Sequence, residues 1–172
     1  MKILVFSDSH SNVSYMIDII NVCKEDTSLI VHLGDMCSDF KKIKSVFPDI
    51  PSVFVKGNND FFEIDVDNEF IGLLEGVKCL FTHGHQYGVK NGVSGISARA
   101  RAIKAELVLF GHTHIPYKEK RGNTLYFNPG SIGVGRENTF GIIHLGNLAI
   151  QSAELLKFDP VTKQIDFLRS FR

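Results

Sequence analysis

The stretch KILVFSDSH, residues 2–10, sets the plan of this chain: a short apolar run that ends in polar residues. Residues 2–7 have the length and composition of a strand that is covered on both faces. Similar runs follow at 29–33 and 52–56, and between them apolar residues recur at helical spacing over 13–23 and about 39–46. We expect Ser11 or Asn12 to cap the first helix. This alternation of strands and helices indicates right-handed crossovers and a parallel sheet.

The second half of the chain is richer in strands. Paired runs at 69–74 and 77–82, at 117–121 and 125–128, and at 139–145 and 149–158 each flank a turn that contains glycine, which is typical of hairpins. A buried strand is predicted at 107–110, a closing strand at 164–168 and a helix over about 92–104. The sequence therefore predicts an α/β fold: a four-layer α-β-β-α sandwich of two mixed sheets flanked by helices, in one domain over 1–172.

Composition and charge narrow the class of partner. Nineteen basic residues balance nineteen acidic ones, so a nucleic-acid partner is not favoured. No apolar run is long enough for a signal peptide or a membrane span, so we expect a cytoplasmic protein without a membrane partner. The three cysteines, Cys23, Cys37 and Cys79, are expected to be reduced thiols, although Cys37 lies close to a candidate ligand. The fourteen phenylalanines are enough to cover an interface, so a homodimer or higher homo-oligomer stays open.

Short segments with aspartate, asparagine or histidine follow five of the predicted strands. They are Asp8-Ser9-His10, Gly34-Asp35, Gly57-Asn58-Asn59-Asp60, His83-Gly84-His85 and Gly111-His112-Thr113-His114. Open α/β sheets bind their ligands at such strand ends. Carboxylate oxygen and imidazole nitrogen suit Mn, Fe, Co, Ni or Zn, and there are more ligands than one four-coordinate ion needs. The set therefore predicts a site for two divalent metal ions, with glycines that allow tight turns beside the ligands.

Each group also has a structural interpretation. An aspartate before a helix is a common cap, and Gly-Asp is an ordinary turn. His32 and His144 lie inside predicted strands and are interpreted as hydrogen-bonded core residues. The basic residues Arg99, Arg101 and Lys104 either steer an anionic substrate or form a solvated helix face, and the second is favoured. The glycine-rich stretch at 128–133 lacks the lysine of a P-loop, so a turn near the site is favoured over phosphate binding.

Taken together, these motifs resemble the calcineurin-like metallophosphoesterase superfamily, and in particular its compact bacterial and archaeal phosphodiesterases. The resemblance runs from Asp8 to about Ser131 and includes the Asn-Pro-Gly-Ser sequence at 128–131. It implies the same four-layer fold. It also implies that Asp8, His10 and His114 bind one metal, that Asn58, His83 and His112 bind the other, and that Asp35 bridges the two.

The resemblance further implies a mechanism in which a hydroxide that bridges two ions, manganese being favoured, attacks a small phosphate ester. Asn58 would help to neutralise charge on the phosphoryl oxygens. Many members of the superfamily have a histidine where this chain has Asn59, and an amide cannot protonate a leaving group. His85 is the nearest candidate for the general acid. The departure favours a phosphodiesterase over an efficient phosphomonoesterase.

Two alternatives remain at this point. A phosphomonoesterase or nuclease would use the same residues on another ester. A catalytically weak protein-interaction scaffold is the second, because the chain also resembles the retromer subunit of eukaryotes that has this small fold. The scaffold interpretation predicts a damaged metal site, whereas here every ligand position holds a residue that can bind metal.

Overall fold

The computed structural model describes residues 1–168, which form two β-sheets and three α-helices. The helices are α1 Val13–Cys23, α2 Cys37–Val46 and α3 Ser94–Ile103. The strands are β1 Lys2–Phe6, β2 Thr27–His32, β3 Ser52–Phe54, β4 Glu69–Leu74, β5 Val77–Thr82, β6 Leu107–Leu109, β7 Tyr117–Arg121, β8 Thr124–Asn128, β9 Asn138–Gly146, β10 Ala149–Phe158 and β11 Ile165–Phe167. Single turns of 3₁₀-helix occur at Lys24–Asp26, His85–Tyr87 and Val89–Asn91.

Both sheets are mixed, as predicted. The first has six strands in the order β11-β10-β9-β1-β2-β3, and its β1, β2 and β3 are parallel. The second has five strands in the order β4-β5-β6-β8-β7, and its β5, β6 and β8 are parallel. The three predicted hairpins are present as β4–β5, β7–β8 and β9–β10.

Three apolar clusters produce the four layers. Between the sheets, Val5 and Val31 of the first sheet pack in one cluster with Phe81 and Phe127 of the second. Helices α1 and α2 cover the outer face of the first sheet, and α3 covers the outer face of the second. Strand β1 is therefore buried on both faces, which explains why residues 3–6 are all apolar. The predicted four-layer sandwich is confirmed. No helix within residues 1–168 combines the length and apolarity that a membrane span requires.

Element boundaries differ from the predictions by one or two residues, and two differences have a clear cause. Helix α2 begins at Cys37, two residues early, because the Asp60 carboxylate accepts hydrogen bonds from backbone N–H groups at its start. Asn12 does occupy the cap position of α1, but its side chain makes no capping bond there. It donates instead to the carbonyl of Gly133, 2.9 Å away, so the predicted cap position is confirmed while the side chain serves another contact.

Candidate metal centre

The five polar segments meet at one edge of the sandwich, where the parallel strands of both sheets end. Backbone hydrogen bonds join them in pairs: Asp8 N–H donates to Gly34 O at 3.1 Å, and Gly111 N–H donates to His83 O at 3.1 Å. A third link crosses between the sheets, since His112 N–H donates to the Asp8 carboxylate at 3.0 Å. The fold therefore brings together residues that are far apart in the sequence.

One group of ligand atoms comes from Asp8, His10 and His114, which lie within 4.8 Å of one another. Asp8 Oδ1 is 3.1 Å from His114 Nε2, but the two atoms are not aligned as a hydrogen bond. Both Asp8 Oδ1 and His10 Nε2 are buried without a hydrogen-bond partner among the described residues. Buried polar atoms of this kind are costly unless something satisfies them, and a cation bound by all three side chains would do so.

A second group surrounds His83. Its Nδ1 lies 2.7 Å from Leu33 O, a carbonyl that can only accept, so Nδ1 donates there and Nε2 is the ring nitrogen left to bind a metal. That Nε2 is 3.1 Å from Asn58 Oδ1, 3.1 Å from His112 Nδ1 and 3.6 Å from an oxygen of Asp35. All of these atoms are of kinds that bind divalent metal ions. A cation between them would be coordinated by both carboxylate or amide oxygen and imidazole nitrogen.

The two groups form one continuous site. The Asp8, Asp35 and His83 ligand atoms also lie within 4.8 Å of one another, so Asp8 adjoins both groups. The resemblance gave the bridging position to Asp35, and that assignment stays a prediction. All seven predicted metal ligands lie in this site.

The protonation of the site suits cation binding. Burial raises the pKa of Asp8, but the adjacent His114 and the charge of His83 outweigh burial, so the net pKa lies below its ordinary value. Burial and the charge of His83 lower the pKa of His112 to about 4. The Asp8 carboxylate raises the pKa of His114. At neutral pH the site therefore offers an ionised carboxylate and, at His112, a neutral imidazole.

Left-handed backbone conformations are concentrated at the ligands themselves. Positive φ values occur at Asp8, His10, Asp35, His112 and His114, between 42° and 68°. Such conformations are strained for residues other than glycine, and they cluster at functional sites. The neighbouring glycines have different tasks. Gly34 has a φ of 98°, whereas Gly57 provides space, because a Cβ there would collide with Asp35 Oδ1.

Two residues that support Asp35 had no assigned role in the sequence analysis. The buried Asp60 carboxylate accepts four backbone N–H groups, from Asp35, Met36, Cys37 and Gly57, at 2.7–3.0 Å. Asn59 donates to both oxygens of Asp35, from its backbone N–H at 2.9 Å and from its side-chain amide at 2.7 Å. The sequence placed Asp60 after the end of a predicted strand, but nothing local indicated its role, because Asp35, Met36 and Cys37 are distant in the chain.

The secondary predictions near the site can be placed as well. The pKa of the Cys37 thiol is raised by burial to about 11, and the thiol belongs to neither ligand group. His32 is fully buried and hydrogen-bonded to Ser9 Oγ at 3.2 Å, which confirms a core role. His144 is half-buried and pairs with Ser152 Oγ at 2.9 Å.

The glycine-rich stretch forms a turn next to the site, as favoured. Ser131 Oγ accepts from the N–H groups of Gly133 and Val134 at 3.2 and 2.8 Å, and it donates to the carbonyl of Asp8 at 2.7 Å. These two amides are therefore already bonded within the turn. Ser131 is another supporting residue that sequence reasoning missed, because it contacts Asp8 across more than a hundred residues.

His85 lies beside the second ligand group. Its ring centre is 5.3 Å from that of His83 and 6.1 Å from that of His112, and its Nδ1 is buried without a partner among the described residues. Burial and the charge of His83 lower the pKa of His85. Tyr87, two residues on, donates to Glu69.

Glu69 also binds Arg99 of α3, with Nη2 and an oxygen 2.9 Å apart. Arg99 therefore helps to fix the turn that carries His85, whereas Arg101 and Lys104 are solvent-exposed.

The calcineurin-like phosphoesterase superfamily domain matches residues 1–157, which include every ligand described above. The chain belongs to the calcineurin-like phosphoesterase superfamily. Members of this superfamily are hydrolases that act on phosphate esters, and they depend on divalent metal ions. The resemblance seen in the sequence is confirmed.

Two relatives show how far the similarity to superfamily members extends. The chain is 30% identical to the probable metallophosphoesterase YsnB of Bacillus subtilis, over 99% of this chain and 98% of that protein. It is 29% identical to the phosphodiesterase MJ0936 of Methanocaldococcus jannaschii, over 76% of this chain and 83% of that protein. Similarity over almost the full length of YsnB indicates a common architecture without a large insertion in either chain.

The fold also resembles a solved structure whose name does not mention a phosphoesterase. Vps29 of Chaetomium thermophilum superposes with a TM-score of 0.80 over 100% of this chain and 95% of that chain, at 12% identity. Identity at that level shows the fold alone.

Proposed function

We propose that this protein is a phosphodiesterase with a binuclear metal centre. The observation that carries the proposal is the pair of adjacent ligand groups. Asp8 Oδ1 and His10 Nε2 are buried without a hydrogen-bond partner among residues 1–168, and His83 Nε2 lies beside oxygens of Asn58 and Asp35. Asp8, His10 and His114 would hold one ion. Asn58, His83 and His112 would hold the other, with Asp35 between the two groups.

When bound, two divalent ions supply positive charge that acidifies a water molecule and neutralises the phosphoryl oxygens. The residues of the chain prepare the site for this chemistry. Asp60 and Asn59 hold the Asp35 carboxylate, while Leu33 O fixes the ring of His83 so that Nε2 points to the cleft. The Asn58 side chain adds a polar contact for the phosphoryl group. Manganese is the ion we propose, since carboxylate and imidazole ligands without thiolate suit it.

The choice of a diester as substrate depends on the missing proton donor. Asn59 directs its amide to Asp35, so this position supplies no acid to the leaving group. His85 is the imidazole left to assist, but its lowered pKa leaves it mainly neutral at pH 7 and therefore a hydrogen-bond donor more than an acid. A site without a strong acid suits a diester whose alcohol portion can leave as a stabilised alkoxide, and it suits a monoester less well. The phosphodiesterase MJ0936 is a relative whose name agrees with this proposal.

A protein-interaction scaffold is the second candidate, favoured by the likeness to Vps29. All seven ligand positions here hold residues that can bind metal, and the structure brings them together. This argues for catalysis. The remaining expectations stay proposals: a single domain over 1–172, a cytoplasmic location, a small substrate rather than a nucleic acid, and homodimerisation.

The deciding experiment is hydrolysis of bis(4-nitrophenyl) phosphate and 4-nitrophenyl phosphate by chelated protein to which Mn²⁺ is returned. We expect metal-dependent cleavage of the diester, weaker cleavage of the monoester, and loss of both in Asp35→Asn. Preferential cleavage of the monoester would replace the diesterase by the phosphomonoesterase alternative. Binding of Mn²⁺ without turnover of either ester would favour the scaffold.

A further inference from the structure

Two phenylalanines stand at the tip of a turn that follows Asn58, one of the proposed metal ligands. Glu63 N–H donates to Asp60 O at 3.1 Å, which closes a turn with Phe61 and Phe62 at its centre. Their side chains are 73% and 97% exposed, and Ile64 beside them is 86% exposed. Central turn positions usually hold Gly, Pro, Asn, Asp or Ser. Because these rings stay in water, they add no burial energy to the stability of the fold. Exposed apolar groups of this kind often mark a binding surface.

The turn is anchored on both sides. Before it, Asp60 accepts four backbone N–H groups from the loops that carry Asp35 and Gly57. After it, Glu63 pairs with Lys41 of α2 at 2.8 and 3.0 Å. The two rings are therefore presented by a held turn, which lowers the entropy lost when a ligand binds to them.

The same loop connects the rings to the metal centre. Asn59 binds both oxygens of Asp35, and Phe62 is three residues further on, so its Cα lies within about 11 Å of the Cα of Asn59. That distance spans a phosphate group and one ring of a bound ester. The turn that carries the rings therefore adjoins the metal centre, and we call its exposed residues Phe61, Phe62 and Ile64 the rim.

Charge excludes two other classes of ligand for this surface. The segment 60–69 contains five acidic residues, Asp60, Glu63, Asp65, Asp67 and Glu69, and no lysine or arginine. Loops that bind anionic membranes or nucleic-acid backbones carry basic residues instead. Glu63 and Glu69 are paired with Lys41 and Arg99, so Asp65 and Asp67 are the exposed acidic residues of this segment without a salt bridge among residues 1–168. They favour an uncharged, apolar group as the ligand of this rim over a second anion.

We propose that Phe61, Phe62 and Ile64 bind the apolar or aromatic alcohol portion of the phosphate ester whose phosphate the metal centre holds. This inference rests on the proposed function and narrows its substrate class. The substrate is an ester with at least one ring or extended apolar group, and short polar esters bind more weakly.

Calorimetry on the Mn²⁺-loaded protein tests the rim without relying on turnover. Methylphosphonate reports binding at the metal centre, and phenylphosphonate adds one ring to the same anion. We expect wild-type protein to bind phenylphosphonate about tenfold more tightly, as for an added aromatic contact. The double variant Phe61→Ser/Phe62→Ser should bind the two anions with similar affinity. Leu148→Ser removes an equally exposed apolar residue at the opposite end of the sandwich and should keep the preference.

The outcomes separate the two proposals. A wild-type preference below twofold, or one that survives in the double variant, overturns the role of the rim while methylphosphonate binding still supports the metal centre. The wild-type protein could instead sediment with uncharged phosphatidylcholine vesicles, lose this in the double variant and show no preference for phenylphosphonate. That result would assign the turn to a lipid surface and also overturn the role of the rim. Failure of the metal-loaded protein to bind either anion overturns the proposed function and the rim together.

Discussion

The two ends of the β-sandwich use the same unusual backbone conformation for different purposes. At the hairpin end, Glu75, Asn147 and Leu148 have positive φ values and exposed side chains. At the metal-centre end, Asp8 and Asp35 have positive φ values and buried side chains. Each such residue costs about 1–2 kcal/mol. At the hairpins this cost reverses the chain, whereas at the metal centre it directs ligands inward, so the buried strained residues mark the functional end.

Asp35→Asn is expected to produce the largest effect, set against Glu75→Gln at the hairpin end. Loss of the carboxylate should reduce metal-dependent diester hydrolysis by more than about a hundredfold, since even supporting residues of metal sites contribute 10–100-fold. Glu75→Gln should leave the rate within twofold of wild type. Initial rates over a range of Mn²⁺ concentrations measure both. Equal losses in the two variants would mean that the ends do not differ as proposed.

A comparison of two glycines tests whether the metal centre needs the space that Gly57 leaves beside Asp35. A Cβ at Gly57 collides with Asp35 Oδ1, whereas a Cβ at Gly122 in the β7–β8 turn meets nothing within 4 Å. Gly57→Ala should displace Asp35 and lower Mn²⁺ affinity by about a hundredfold. Gly122→Ala should cost about 1–2 kcal/mol of unfolding free energy through its positive φ, with metal affinity retained. Calorimetric titration and urea denaturation distinguish the two. Unchanged Mn²⁺ binding by Gly57→Ala would contradict the prediction.

A comparison of two aspartates tests whether a buried carboxylate at the metal centre contributes more than an exposed one in a turn. In the wild-type protein the Asp60 carboxylate accepts four N–H groups, whereas the amide of Asp60→Asn can accept through one oxygen only. The variant should therefore lose about 2–3 kcal/mol of unfolding free energy and bind Mn²⁺ about tenfold more weakly. Asp159 accepts two N–H groups in an exposed turn. Its replacement by Asn should cost about 1 kcal/mol or less and leave metal affinity unchanged. A loss of stability in Asp60→Asn with full Mn²⁺ affinity would limit Asp60 to a structural role.

A pH dependence of stability is expected from His32, whose Nε2 lies 3.2 Å from Ser9 Oγ, and near neutral pH its effect is the smallest of the four. Burial lowers the pKa of His32 in the folded protein to about 4, below the ordinary 6.5. Between these values the unfolded chain binds a proton that the folded one does not. The metal-free protein should therefore lose up to about 1.4 kcal/mol per pH unit as the pH falls from 6.5 to 4. Chemical denaturation of wild type and His32→Gln measures the slope, and an equal slope in both would exclude His32 as its source.

Sequence reasoning located the metal centre because parallel strands end at the same edge of a sheet. Asp8, Asp35 and His83 each follow an apolar run directly, so their convergence followed from strand direction alone. The four layers were predictable for the same reason, since buried strands, amphipathic helices and glycine turns have local signatures.

The supporting contacts could not be predicted, because they depend on residues that are distant in the chain. Asp60 starts α2 two residues early by accepting N–H groups from another loop, and Asn12 turns away from its helix to Gly133. Asn59 was considered only as a replacement that cannot protonate the leaving group, and the contact of its amide with Asp35 was not predicted. Such partners become visible only when the loops are placed in three dimensions.

The hydrogen bond from His112 N–H to the Asp8 carboxylate joins residues that are 104 positions apart. A ribosome must therefore complete nearly two thirds of the chain before the first aspartate meets its partner, and Ser131 joins later still. No shorter nascent fragment contains the assembled centre. The full set of candidate ligands is present only once His114 has been synthesised, although Asp8 is made almost at the start. Ion capture by the complete centre is consequently a late event in the making of this chain.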